Sequence, residues 1–281
     1  MKILLGFCAI LTSSLAFSQS MLVMNTGKVL TIDDQGMVYD LGNFLLPYQV
    51  KQMGGRYLID EDRVIRTVDH NGLMYSKDKE DKAPVNIEYF GENYFISKLG
   101  KMFTFDEQGF VYKGDRESEF RNIKNHGGNF VVAEKKEHMK KVLALFVITK
   151  LGAIIEVNVP GLNLDQINYV GGNYFTTLKG ELFTVSSDGF VYSKLAMGNF
   201  NGWQFKTGGN YFVAHNSLYS VSETGLLMSV ASASDFGDIK DFGTNFFTTK
   251  DGRLFTISAS GAIRNAPLDY KLSDISVFSH L

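Results

Sequence analysis

The sequence predicts an all-β fold, a seven-bladed β-propeller built from four-stranded blades. Three observations carry this. A glycine closing a short polar turn recurs at Gly36, Gly72, Gly109, Gly152, Gly189, Gly225 and Gly261, with spacings of 36, 37, 43, 37, 36 and 36 residues. Each repeat holds four short runs of β-branched and aromatic residues, the types that suit a pleated, packed surface. Helix signals are very few. A unit of this length cannot bury its own apolar surface and must stack on its neighbours, and four strands repeated seven times describe a propeller.

The runs come in a fixed order. The first is apolar-x-x-apolar, as in Ile87–Phe90, Ile167–Val170 and Ile239–Phe242. Gly-Gly or a near relative follows: Gly54-Gly55, Gly91-Glu92, Gly127-Gly128, Gly171-Gly172, Gly208-Gly209 and Gly243-Thr244. The second run opens on Asn in most repeats, as in Asn93-Tyr94-Phe95 or Asn173-Tyr174-Phe175. The third is Leu182-Phe183-Thr184-Val185 or its equivalent, and the fourth follows the recurrent glycine, as in Phe190-Val191-Tyr192. The second and third runs are almost continuously apolar, as expected of strands covered on both faces.

Reach decides where one blade ends. Crossing from the outer strand of one blade to the inner strand of the next spans about 14 Å. Two glycines cannot cover that at ~3.6 Å per residue. Gly-Gly is therefore a hairpin within a blade, and the crossovers are the long variable links 77–84, 114–121, 160–166, 195–202, 232–238 and 267–273. On this reading the four strands run in order from channel to rim. The first unit lacks its inner strand, and the C-terminus has one to spare at Asp274–Phe278. Closure by that strand, completing the N-terminal blade, is expected because an open ring exposes two sheet edges.

Residues 1–18 read as a signal peptide: Lys2, an apolar stretch from Ile3 to Leu11, and the small-x-small site Ala16-Phe17-Ser18. Cleavage leaves 19–281 as a single propeller domain of 263 residues, about 38 per blade. The one cysteine, Cys8, leaves with the signal, so the mature chain has no disulfide, thiol nucleophile or thiolate metal site. This points to export, periplasmic or secreted, and to a bacterial envelope. No other apolar segment is long enough to span a membrane. The mature chain carries 27 Lys+Arg against 30 Asp+Glu, which gives no case for nucleic acid.

The pattern Ile167-x-x-Val170-Gly171-Gly172 … Gly180-x-Leu182-Phe183-Thr184 … Gly189-x-Val191-Tyr192 resembles propeller repeats in general. Its opening is similar to regulator-of-chromosome-condensation-type repeats, and its Gly-x-Leu-aromatic hairpins to quinoprotein-type and tachylectin-type blades. Two departures stand out. Trp203 is the only Trp, so the docking tryptophan of quinoprotein blades is absent, and Tyr or Phe replaces the histidine of the chromosome-condensation type. The resemblance implies architecture and no particular function.

Motifs that carry chemistry are sparse. His70, His126, His138, His215 and His280 are scattered, with no i, i+4 pair. Asp-x-x-Gly turns such as Asp33–Gly36 lack the alternating ligands of a Ca²⁺ loop and read as turns. The Asn after Gly-Gly is either a channel ligand or, the favoured reading, a turn residue. Tyr39, Tyr75, Tyr112 and Tyr192 are either a sugar-stacking set or, as favoured, packing between blades with wet hydroxyls. No cofactor and no metal are expected. The fourth repeat alone carries about seven extra residues, within Glu134–Lys141. They lengthen one hairpin and nominate Lys135, Lys136, His138, Lys140 and Lys141 for an acidic partner or anionic surface. The leading reading is an exported, non-catalytic, monomeric module or scaffold for a protein partner. A glycan-binding lectin is the alternative, and a hydrolase or lyase with acids at a channel mouth is the third.

Overall fold

The computed structural model describes residues 20–43, 49–69, 71–76, 82–113, 120, 122–138, 140–193, 206–266 and 275–278. Residues 1–18, Cys8, His70, Trp203, His280 and Asp274 lie outside them, as do residues 194–205 and 267–274.

Seven antiparallel sheets of four strands form the ring. Blade 3 shows the plan: Ile87–Phe90, Tyr94–Ser97, Met102–Phe105 and Val111–Lys113, each bonded to the next. Blade 5 repeats it with Ile167–Val170, Tyr174–Thr177, Leu182–Val185 and Val191–Ser193. Gly-Gly falls inside a hairpin, since Phe90 faces Phe95 and Val170 faces Phe175 across it. In blade 1 the sheet order is Ile275–Phe278, Ser20–Met24, Lys28–Ile32, Val38–Asn43, with Leu22 opposite Phe278 and Val23 opposite Val277.

The turn before each fourth strand is held by its own first side chain. Asp33 accepts from the backbone N–H of Gln35 and Met37, and Asp69 and Asp106 repeat this in blades 2 and 3. Ser186, Ser222 and Ser258 hydroxyls do so in blades 5 to 7. The turn aspartates are thus spent on backbone N–H groups. All seven recurrent glycines have φ between 74° and 94°, which an L side chain resists.

Side-chain alternation sets the core. Along the second strand of blade 3, Tyr94 and Ile96 face blade 4 while Phe95 faces blade 2. Both middle strands are therefore buried on both faces, which accounts for their continuous apolar runs. Seven apolar clusters result among the described residues, each shared by one pair of adjacent blades.

Hydroxyls staple the blades. The third-strand Thr or Ser donates to the carbonyl of the next blade's recurrent glycine: Thr31 to Gly72, Thr67 to Gly109, Thr104 to Gly152, Thr184 to Gly225, Ser220 to Gly261 and Thr256 to Gly36, all at 2.7–2.9 Å. Second-strand tyrosines add a layer, with Tyr57 donating to Tyr94 O, Tyr94 to Gly127 O and Tyr211 to Phe246 O. The joint between blades 4 and 5 departs from this. Val147 stands where Thr or Ser stands in every other blade, and the joint is a larger apolar cluster including Leu145, Phe175, Phe183 and Val185.

Candidate functional site: the axial mouth

Two sets of turns meet around the axis at one end of the blades. Between first and second strands, Arg56 N–H donates to Glu92 O, Glu92 to Gly128, Gly128 to Gly172 and Gly172 to Gly209, at 2.6–3.0 Å. Between third and fourth strands, Glu107 N–H donates to Lys150 O, Lys150 to Ser187, Ser187 to Glu223, Glu223 to Ala259 and Ala259 to Asp34, at 2.8–3.2 Å. Directly bonded residues have Cα atoms about 5.5 Å apart, so seven in a circle enclose a radius of only about 6 Å.

This packing explains the glycines. A Cβ on Gly172 would meet Gly209 backbone atoms at 2.6–2.8 Å, and one on Gly128 would meet Glu92 Oε2 at 2.8 Å. Thr244 likewise presses on Gly209, its Cγ2 lying 2.7 Å from such a Cβ. Side chains at Glu92 and Thr244 are accommodated because the adjacent position is glycine.

A cavity of about 40 Å³ opens on the axis, lined by Arg56, Glu92, Lys150 and Glu223 and by Asn93, Asn129, Asn173 and Asn210. Its walls are turn residues and the last residues of third strands such as Ile148, Val185 and Val221, and not the first strands. The expected channel-to-rim order therefore fails at the axis. First and fourth strands are both half-exposed edges, and the inter-blade bonds bring two turns per blade inward.

The asparagines also depart from the favoured reading. None has a positive φ. Their side chains reach across to the next blade: Asn93 Nδ2 donates to Thr149 O at 3.1 Å, Asn129 to Ser186 O at 3.4 Å and Asn173 to Val221 O at 3.3 Å. The Oδ1 atoms of Asn93, Asn129, Asn173 and Asn210 are buried with no protein donor. Each orphaned acceptor costs about 1–3 kcal/mol when nothing replaces water.

Where the repeats differ, the mouth acquires charge. Arg56 takes the Asn position in blade 2 and is buried. Burial pulls its guanidinium below the usual value, opposed by Glu92, Glu107, Asp106 and Asp34. Burial pushes the Glu223 carboxyl up to about 7, against the pull of Lys150 and with the help of Asp188. Lys150 pairs with Asp188 at 3.3 Å. Among the described residues no three His, Cys, Asp or Glu side chains group as metal ligands.

Around the mouth lies an apolar annulus. The residue after the recurrent glycine is exposed in every blade and large in five: Met37, Leu73, Phe110, Phe190 and Leu226. It stands three residues from the inner-ring residue, within about 11 Å along the chain. Two residues on, Tyr39, Tyr75 and Tyr112 donate to Asp33, Asp69 and Asp106 at 2.7–3.0 Å. These bonds raise the phenol pKa values. The hydroxyls are thus each tied to an aspartate on residues that remain exposed, while ring edges pack on the next blade's glycine, as Tyr39 does on Gly72.

The residues nominated from sequence lie elsewhere. Phe130–Glu137 and Lys140–Ile148 extend the blade 4 hairpin at the opposite end of the strands, with Lys136 opposite Lys141 and Glu137 opposite Lys140. Lys135 pairs with Glu156, and Lys141 with Glu134 at 3.0 Å. His138 turns the tip at φ 46°, and Lys136 and Lys140 are exposed. The extension is real, but half its lysines are partnered within their own blade, and it does not join the mouth.

No family model matches the chain, and no curated protein matches it. Among solved structures it is similar to PorZ, a surface component of the type-IX secretion system of Porphyromonas gingivalis, at 10% identity and a TM-score of 0.29 over 90% of this chain. The chain spans 40% of that protein's length. BamB from Moraxella catarrhalis is similar at 14% identity and a TM-score of 0.22, over 88% of this chain and 80% of that one. The propeller assignment rests on the seven sheets themselves. No helix among the described residues is long and apolar enough to cross a membrane.

Proposed function

We propose that this chain is an exported, non-catalytic propeller that binds a protein partner on the face bearing the two turn rings. The observation that carries it is the annulus: Met37, Leu73, Phe110, Phe190 and Leu226 are 48–64% exposed at one equivalent position. Apolar side chains gathered in water around a polar centre are the composition of a docking surface. The blade 4 extension, with Lys136, His138 and Lys140 outermost and Lys135 and Lys141 at its base, lies at the opposite end of the strands and offers a separate contact surface for an acidic partner. Export rests on the pattern of residues 1–18.

The test places a photo-crosslinking residue at Phe110, Phe190 or Lys136 in the native cell. A discrete adduct at Phe110 and Phe190, abolished in Phe110→Ser/Phe190→Ser protein of unchanged Tm, is expected. No adduct at any position, together with binding on a glycan array, would move the reading to a lectin. The mature N-terminus is expected at Gln19 by intact mass, and a cytoplasmic chain retaining Met1 would refute export.

A further inference from the structure

The blade 4 extension ends in an open strand edge, far from the apolar annulus. At the base of the strand Lys140–Ile148, Ile148 N–H donates to Asn129 O on the hairpin side, and Thr149 N–H donates to Ala153 O on the other. Antiparallel alternation then turns the N–H and C=O of Leu145, Leu143 and Lys141 away from Phe130–Glu137. Leu145 still faces Val157 of the fourth strand, where that pairing stops. Leu143 and Lys141 lie beyond it, and among the described residues no backbone group bonds theirs on that side. The other edge of the hairpin is shorter. Glu134 N–H donates to Asn122 O, which leaves only Lys136 facing outward beyond it.

Against the open edge lies a groove of about 330 Å³, with Val142, Leu143, Val157 and Leu162 in its walls and the charged Lys135 and Glu156 alongside. Outward backbone donors and acceptors beside an apolar groove are what an extended peptide uses when it adds a strand to a sheet. Residues 134–141 carry four Lys against two Glu, and Lys136, Lys140 and Lys141 are exposed. Lysine on an edge commonly guards against pairing between copies of a chain. Here the guard selects. A second copy of this edge meets like charge, and an acidic strand meets opposite charge.

We propose that Lys141 and Leu143 pair, backbone to backbone, with an extended acidic segment of a protein partner, whose apolar side chains alternate into the groove. This rests on the reading of the extension as a surface for an acidic partner, and it names the mode of contact.

The probe is a labelled peptide of about eight residues alternating Asp and Val, long enough to span the open edge. It is titrated into the full mature chain at low ionic strength and read by fluorescence polarisation. Saturable binding is expected, and a Lys-Val analogue is expected not to bind. Lys141→Gln removes the charge and keeps the N–H, and should weaken binding about twofold. Lys141→Pro removes both without touching the hairpin ladder, and should weaken it at least tenfold more than Lys141→Gln. On the unmodified protein, saturating peptide should slow amide exchange at Lys141 and Leu143 at least tenfold by NMR, so the matter is decided even where the proline variant does not fold. Absence of binding would overturn the acidic reading of the extension together with the strand. Equal loss in Lys141→Gln and Lys141→Pro, or unchanged exchange at Leu143, would overturn strand addition alone. Phe110→Ser/Phe190→Ser protein is expected to bind the peptide as the parent does, and loss of binding there would place the peptide on the annulus and overturn this site.

Discussion

Thr184 offers a clean measure of what joins the blades. Its side chain is fully buried, and its hydroxyl donates to Gly225 O at 2.7 Å across the blade 5–6 joint. Thr184→Val keeps the shape, removes the donor and leaves a buried carbonyl unsatisfied. The lost bond and the orphaned acceptor together cost about 1–3 kcal/mol. For a chain of this size that is a fall in Tm of about 3–8 °C. Thr31→Val and Thr104→Val are expected to match it, since each makes the same bond at another joint. Differential scanning calorimetry at fixed pH and salt reads all three. Val147 is the internal contrast: it occupies the same position in an apolar joint, and only Ile155 and Thr149 atoms lie within 4 Å of a Cβ placed on Gly189. Val147→Thr should therefore destabilise too, because its hydroxyl gains no acceptor. A Thr184→Val protein within about 0.5 kcal/mol of the parent would refute the stapling argument, and a stabilised Val147→Thr would refute the reading that the blade 4–5 joint offers no acceptor.

Glu223→Gln tests the raised carboxyl. With a folded value near 7 against the ordinary 4.5, the native form keeps a proton that the unfolded chain has lost. The parent therefore loses stability from about pH 4.5 to 7 and the variant does not, so the variant should gain at pH 8 and be equal at pH 4. Water reaches half of this carboxyl, which limits the gain to under about 1 kcal/mol; a lower Tm at pH 8 would count against the assignment. Removing residues 275–281 strips the partner of Ser20–Met24 and should lower Tm by about 10 °C or more and induce aggregation, read by light scattering. Gly172→Ala drives a Cβ into Gly209 backbone and should cost over about 3 kcal/mol. Gly161→Ala, open to solvent at φ 80°, should cost only about 1 kcal/mol of backbone strain.

Much of this fold could be read from the chain because the repeat supplies its own alignment. The recurrent glycine marks a turn whatever its neighbours are, and a Gly-Gly too short to bridge blades can only be a hairpin. The mouth was less legible. The side chains that define it, Arg56, Glu92, Glu107, Lys150 and Glu223, occupy ordinary turn positions in a linear reading. Their signal was variation, since one position in the turn carries Asp34, Glu107, Lys150, Ser187, Glu223 and Ala259 in blade 1 and blades 3 to 7. Only the radius of the ring shows that these residues converge. The asparagines misled for a related reason. Asn beside glycine ordinarily caps its own turn, whereas here the turn is already satisfied by the next blade, which frees the amide to bridge.

The blade 4–5 joint has a consequence for orientation. A platform with seven equivalent sectors would let a partner settle in any of seven rotations, a degeneracy worth about 1.1 kcal/mol by RT ln 7. This ring is indexed instead. One joint is greasy where the others are stapled, and the only lengthened hairpin among the described residues springs from the same blade. Arg56 stands in blade 2, away from that joint. The seven sectors are therefore not interchangeable: blade 4 is marked at one end of the strands by its extension, and blade 2 at the other end by Arg56.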